Sequence, residues 1–155
     1  MKKIVLFSTI VFILDQVVKL FVGFSLKLNT SISVFNNFLY ISNVHNYGAA
    51  FSILYGNRIL LVFVSIITLV LIYYFLLKNR KFDWFNITLY SLLIGGILGN
   101  LFDRIIYGYV VDYLDFYIFG YNFPIFNFAD ICIVISVFLI IIDTLWGGNG
   151  EVRGK

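Results

Sequence analysis

"YNFPIFNFAD" (residues 121–130) runs straight into "ICIVISVFLIII" (131–142), and the junction places a carboxylate, Asp130, at the mouth of a long apolar run. A helix from Phe128 to Trp146 is long enough to cross ~30 Å of hydrocarbon, which takes about 20 residues. An ionisable group at that boundary costs on the order of several kcal/mol to bury, so Asp130 needs a structural or a chemical reason.

Working outward, the rest of the chain has the same character. Of 155 residues, 61% are hydrophobic and only 12% are charged, with a mean hydropathy of +0.98. A soluble domain carries about twice that charge fraction, so one integral membrane domain is expected over 1–155. Further spans are expected near 3–24, 59–77 and 84–106, and the run after Asp130 gives a fourth at 128–146. "MKKIVLFSTIVFIL" imitates a secretory leader, but "DQVVKLFVGF" follows without a small-x-small cleavage site. A retained first span is expected.

The net charge of +3 is distributed as a topology signal rather than a nucleic-acid footprint. Lys2 and Lys3, the "KNRKFD" hairpin (78–83) and the tail "GGNGEVRGK" (147–155) hold most of the Lys and Arg. With four spans these regions share one side, which the positive-inside rule makes cytoplasmic. Residues 25–58 and 107–127 then lie outside. "SISVFNNFLYISNV" (31–44) reads as short strands, "NYGAAFSIL" (46–54) as a short interfacial helix, and the Tyr/Phe-rich 107–127 as a headgroup-level segment. The fold class is therefore all-α membrane, four helices with a small extracytoplasmic β-rich segment.

A single cysteine, Cys132, excludes an intrachain disulfide and a cysteine metal cluster, and one histidine, His45, without HExxH argues against a zinc protease. Both are expected to be inert and without partners. No GxSxG-like setting is present. Five of the eight acidic residues, Asp15, Asp103, Asp112, Asp115 and Asp130, fall in the outer half of the membrane or the outer loop.

Four of the five have a plain structural explanation. Asp15 pairs with Lys19 one turn on, and Asp103 beside Arg104 holds span three to a neighbour. Asp115 is a solvated loop residue, and Asp130 is the N-cap of span four. Gly95, Gly96 and Gly99 allow close helix packing. As a set they point elsewhere: two carboxylates from different segments at one depth, with Asn and Arg nearby, suit acid–base hydrolysis of an amide. One would be ionised and take a proton from water; the other would be kept protonated and donate to the carbonyl. The same residues also suit a proton-coupled carrier using Asp15, Lys19, Asp103 and Arg104, and the glycine face suits a non-catalytic assembly protein. Chemistry alone leaves these open.

In order, "DQVVK" (15–19), "NYGAAFSIL" (46–54), "GNLFDR" (99–104), "VVDYLDF" (110–116) and "FNFAD" (126–130) resemble the signature blocks of the lipoprotein signal peptidases, the bacterial type II signal peptidases of aspartic peptidase family A8. The resemblance implies an aspartic endopeptidase of the bacterial plasma membrane that cuts prolipoproteins before a diacylglyceryl-modified cysteine. It implies Asp112 and Asp130 as the catalytic pair, and Asn46, Asn100, Arg104 and Asn127 as substrate contacts. Asp15, Lys19, Asp103, Gly48 and Ala129 would be supporting residues. It also implies no metal or cofactor, diacylglyceryl-prolipoprotein and membrane lipid as partners, no nucleic acid, a monomer, cytoplasmic termini, an active site near the outer face, and inhibition by globomycin. Tyr113 and Tyr47 depart from the commoner residues at their positions. No lipobox ending in Cys occurs, so the chain is not its own substrate.

Overall fold

The computed structural model describes residues 1–49, 53–78 and 82–146. Four helices are long and apolar enough to cross a membrane. They are α1 (Lys2–Ser25), α2 (Arg58–Leu71, continued by a π-helical segment Ile72–Leu77), α3 (Trp84–Ile106) and α4 (Phe128–Trp146). These bounds follow the apolar runs closely, because the length of a span is set by the bilayer and its ends by polar residues. Asp83 starts α3 by accepting the Asn86 N–H at 2.8 Å.

The segments that join α1 to α2 and α3 to α4 form one antiparallel sheet in the order β1 (Ser31–Phe35), β2 (Leu39–Asn46), β3 (Val110–Ile118), β4 (Tyr121–Asn122). The expected strands in 31–44 are present. The segment 107–127, expected only to lie among headgroups, supplies the central strand β3. Its register against β2 shifts between Ile41 and Val44, where Ser42 and Asn43 occupy the place of one residue opposite Tyr113. The described part of 46–54 forms turns rather than the expected helix, and residues 50–52 lie outside the described residues. So do the middle of the basic hairpin (79–81) and the tail (147–155).

Helix α3 is the axis: most of it is buried, whereas the other three spans turn apolar faces outward. In lipid, apolar surface gains little by helix contact, so association rests on close packing and polar bonds. The α3 glycines provide the first. A Cβ on Gly95 would come within 2.8 Å of the Ser8 carbonyl oxygen of α1, and one on Gly96 within 2.6 Å of the Ala129 carbonyl oxygen of α4. A Cβ on Gly99 would strike the Asp15 carboxylate. The three glycines thus bring α1 and α4 against α3 where the carboxylates lie.

At its C-terminal end α3 is closed just past Ile106 by Gly108, whose φ of +85° an L side chain rarely adopts. The last carbonyls are satisfied from outside the helix. Arg58, the first residue of α2, donates Nε to the Arg104 carbonyl and Nη2 to the Ile105 carbonyl, both at 2.6 Å. That contact ties α2 to the end of α3 beside the candidate site.

Candidate active site

Asp112 comes from β3 and Asp130 from the first turn of α4, and one asparagine links them. Asn127 Nδ2 donates to Asp112 Oδ1 at 2.7 Å and to Asn100 Oδ1 at 3.2 Å. Its Oδ1 accepts the Asp130 N–H at 3.0 Å, and its own N–H reaches Asp130 Oδ2 at 3.2 Å. This is a reciprocal capping arrangement, which corrects one expectation: Asn127 is the N-cap of α4, and Asp130 sits at its third helical position. The cap explains why α4 starts where it does. It also fixes the Asp130 side chain at a helix N-terminus, where negative charge is favoured.

Two further amides complete the site. Asn46, at the end of β2, donates Nδ2 to Asp112 Oδ2 at 2.8 Å, and its Oδ1 accepts the Gly48 N–H at 2.8 Å. Asn100 donates Nδ2 to Asp130 Oδ1 at 2.8 Å. Every oxygen of both carboxylates therefore accepts a hydrogen bond from an asparagine side chain or backbone. Three of the four residues expected to contact substrate, Asn46, Asn100 and Asn127, here orient the aspartates. Arg104, the fourth, holds the Gly48 carbonyl at 2.9 Å with Nη2 and the Asn100 carbonyl at 3.3 Å with Nη1. Neither Asp103 nor Asp115 pairs with it, and its buried Nε has no hydrogen-bond partner among the described residues.

Beneath the pair lies a buried ion cluster. Lys19 Nζ meets Asp15 Oδ2 at 2.8 Å, Asp103 Oδ2 at 2.9 Å and Asn100 Oδ1 at 3.0 Å. Asp15 Oδ1 accepts the N–H of the fully buried Ala129 at 3.1 Å, one residue before Asp130. Asp103 Oδ2 accepts the Val111 N–H at 3.3 Å, one residue before Asp112. The supporting residues thus hold the backbone beside each member of the pair.

Other expectations need correcting. Asp115 is buried rather than solvated: it pairs with Tyr40 across β2 and accepts from Ser42 Oγ, on the same face, at 3.0 Å. His45 is not without a partner: its ring stacks on Tyr109 with centroids 3.6 Å apart. Cys132 is free and buried. Tyr113 also has a role that the sequence did not suggest, accepting the Phe128 N–H at 3.1 Å and so fastening β3 to the start of α4. Gln16 was missed as well. It sits inside "DQVVK", between two residues that were noticed, and its position within that block was the available signal.

Burial first, and the Asp130 charge second, push the Asp112 carboxyl up to about 7, although the Asn46 and Asn127 hydrogen bonds oppose this. A carboxyl held protonated beside a second carboxylate in a water-poor site is equipment for acid–base chemistry. No group of three His, Cys, Asp or Glu residues suited to a metal occurs among the described residues.

A four-span bundle whose small sheet and fourth helix bring two aspartates together defines the class, a polytopic membrane protein with a paired carboxylate site. The chain belongs to the signal peptidase (SPase) II family, whose model matches residues 7–146. The lipoprotein signal peptidases of Staphylococcus aureus strains JH9 and Mu50 are each 43% identical to it over 141 residues, 91% of this chain and 86% of theirs. Two solved structures of bacterial membrane enzymes share the fold. One has a TM-score of 0.87 at 38% identity, covering 100% of this chain and 94% of its own; the other has 0.83 at 40%, covering 94% of each. The carrier reading finds no support among these relatives.

The raised value of Asp112 has a definite sign: the carboxyl keeps its proton below about pH 7 and loses it as the pH rises through that value. An infrared titration of the reconstituted protein should show a protonated carboxyl band that fades near pH 7 and is missing from Asp112→Asn. A band already gone by pH 5 would contradict the assignment.

Proposed function

We propose that the protein is a membrane aspartic endopeptidase that removes signal peptides from prolipoproteins, cutting before a cysteine that carries a diacylglyceryl group. The observation that carries this reading is the joint hold of Asn127 on Asp112 and Asp130, which brings a buried and a half-buried carboxyl from separate elements into one site. Asp112, the group that keeps a proton to about pH 7, is the general acid, and Asp130 is the base. Asp130 takes a proton from water as the water oxygen attacks the scissile carbonyl carbon, while Asp112 gives its proton to the carbonyl oxygen. On collapse the C–N bond breaks. The leaving amine takes the proton from Asp130, and a hydroxyl of the gem-diol returns one to Asp112. One water is consumed and both groups are restored.

Arg104 fits the binding of substrate backbone. Its guanidinium is fixed by Gly48 and Asn100 yet keeps Nε uncommitted among the described residues, a donor for a carbonyl that has lost its water. The lipid on the substrate cysteine would set the depth of the scissile bond. Its burial is worth ~0.8 kcal/mol per methylene, part of which can orient the bond. A cyclic lipopeptide such as globomycin, which presents a hydroxyl to paired aspartates, should block the site.

The charge distribution favours cytoplasmic termini and an outward-facing sheet. In a Cys132→Ser background, Ile32→Cys in the exposed strand β1 should react with a membrane-impermeant thiol reagent applied to intact cells. Labelling only after lysis would reverse the topology.

Reconstituted protein should cleave a diacylglyceryl-modified prolipoprotein, insensitive to EDTA, with kcat/KM falling about tenfold per pH unit above about pH 7. Asp112→Asn and Asp130→Asn should each lower turnover by at least a thousandfold in folded, inserted protein, and unmodified precursor should be a poor substrate. Near-normal turnover by either variant would remove that residue from the mechanism, and inhibition by EDTA reversed by zinc would replace it.

A further inference from the structure

We infer that Gln16 is a positioning residue for the aspartate pair, a neutral donor that binds the two supporting carboxylates together where a second cation is missing. The inference rests on the peptidase reading and extends it to a residue outside the pair and its asparagines. Lys19 is the only cation bonded to Asp15 and Asp103 among the described residues, and its three donors are all committed, to Asp15, Asp103 and Asn100. Two buried carboxylates thus share one ammonium. Gln16 Nε2 faces the remainder: its two hydrogens are shared among Asp103 Oδ1 at 2.9 Å, Asp15 Oδ2 at 3.2 Å and the Gly99 carbonyl at 3.3 Å. All three neighbours are acceptors, so only the nitrogen of the amide can point there.

The bond to Asp103 matters most. Gln16 is the hydrogen-bond donor given to Asp103 Oδ1, while Asp103 Oδ2 holds Lys19 and the Val111 N–H. Without Gln16, one oxygen of a carboxylate that is only 1% exposed loses its partner. The group can then rotate away from Val111, the residue before Asp112. On the other arm Asp15 holds the Ala129 N–H, the residue before Asp130. Gln16 therefore joins the strand that carries one aspartate to the helix that carries the other.

Its location adds a second reason. Between the outer end of α1 and the sheet runs a groove of about 660 Å³, lined by Leu20, Phe24, Asn43 and Val111 among others, with Gln16, Lys19 and Asp103 also on its wall. Half-buried Gln16 stands between that groove and the ion cluster. A shortened side chain would let water reach the bonds that fix the pair.

The test uses full-length protein and the modified prolipoprotein. Gln16→Glu keeps the shape but turns a carboxylate toward three acceptors. Its kcat should fall at least tenfold while KM stays within twofold, because the bonds of Gln16 go to the supporting carboxylates and the Gly99 carbonyl. Gln16→Met, which removes the donor without adding charge, should lose at least threefold in kcat, and it decides the matter if the Glu variant fails to insert. In the double variant Gln16→Glu/Asp103→Asn the bond is reversed. The amide introduced at position 103 donates to the carboxylate introduced at position 16, while its oxygen still accepts from Lys19 and Val111. This variant should turn over at least threefold faster than Gln16→Glu alone. Wild-type kcat in Gln16→Glu or Gln16→Met, or no gain in the double variant, would overturn the inference. Failure of the wild-type protein to cleave would instead overturn the peptidase reading, and this inference with it.

Discussion

The Lys19 ammonium, enclosed by Asp15, Asp103 and Asn100 at 2.8, 2.9 and 3.0 Å, is the contact on which the rest of the site depends. Buried ion pairs are poor contributors to net stability, but removing one partner costs about 3–5 kcal/mol because the other is left uncompensated. Here that stiffness is directed outward along three paths. Asp15 reaches the N–H of Ala129, Asp103 the N–H of Val111, and Asn100 the carboxylate of Asp130. One cation from α1 thereby sets the relative position of a strand, a helix and a side chain that are distant in sequence. The arrangement also explains Gly99, since any side chain there would displace the Asp15 carboxylate.

The aspartates themselves are managed differently. Neither forms a salt bridge among the described residues; each accepts hydrogen bonds from asparagines, which orient a carboxylate without neutralising it. A lysine at that place would hold the carboxylate ionised. With amides instead, burial and the charge of Asp130 dominate at Asp112, and its proton stays to about pH 7. The site therefore separates two tasks, with ions below for rigidity and amides around the pair for acid–base character.

Much of this was legible in the sequence, for specific reasons. The four spans follow from apolar run length, a one-dimensional property. The pairing of Asp15 with Lys19 follows from helical spacing. Asp112 and Asp130 stand out as carboxylates in an apolar chain, and the order of five blocks supplied the family. What was not legible depended on contacts between distant segments. Strand β3 was hidden because its Tyr and Phe residues suit a headgroup segment as well as a strand. The burial of Asp115 depends on the pairing of β3 with β2 and on the bond from Ser42, which local pattern does not encode. The sequence does not separate Asn127 as the cap from Asp130 at the third helical position, because only single hydrogen bonds distinguish the two. Gln16 carries no charge, so nothing in its residue type marks it as part of an ion cluster.

The Lys19 cluster holds the backbone beside Asp112 and Asp130 and so sets their positions. Turnover of the modified prolipoprotein by Lys19→Met, measured per molecule of correctly inserted protein, tests this most directly. Turnover at least a hundredfold below wild type, with the four spans still inserted, is the predicted result. Turnover within twofold of wild type would mean that the aspartates hold their positions without the cluster.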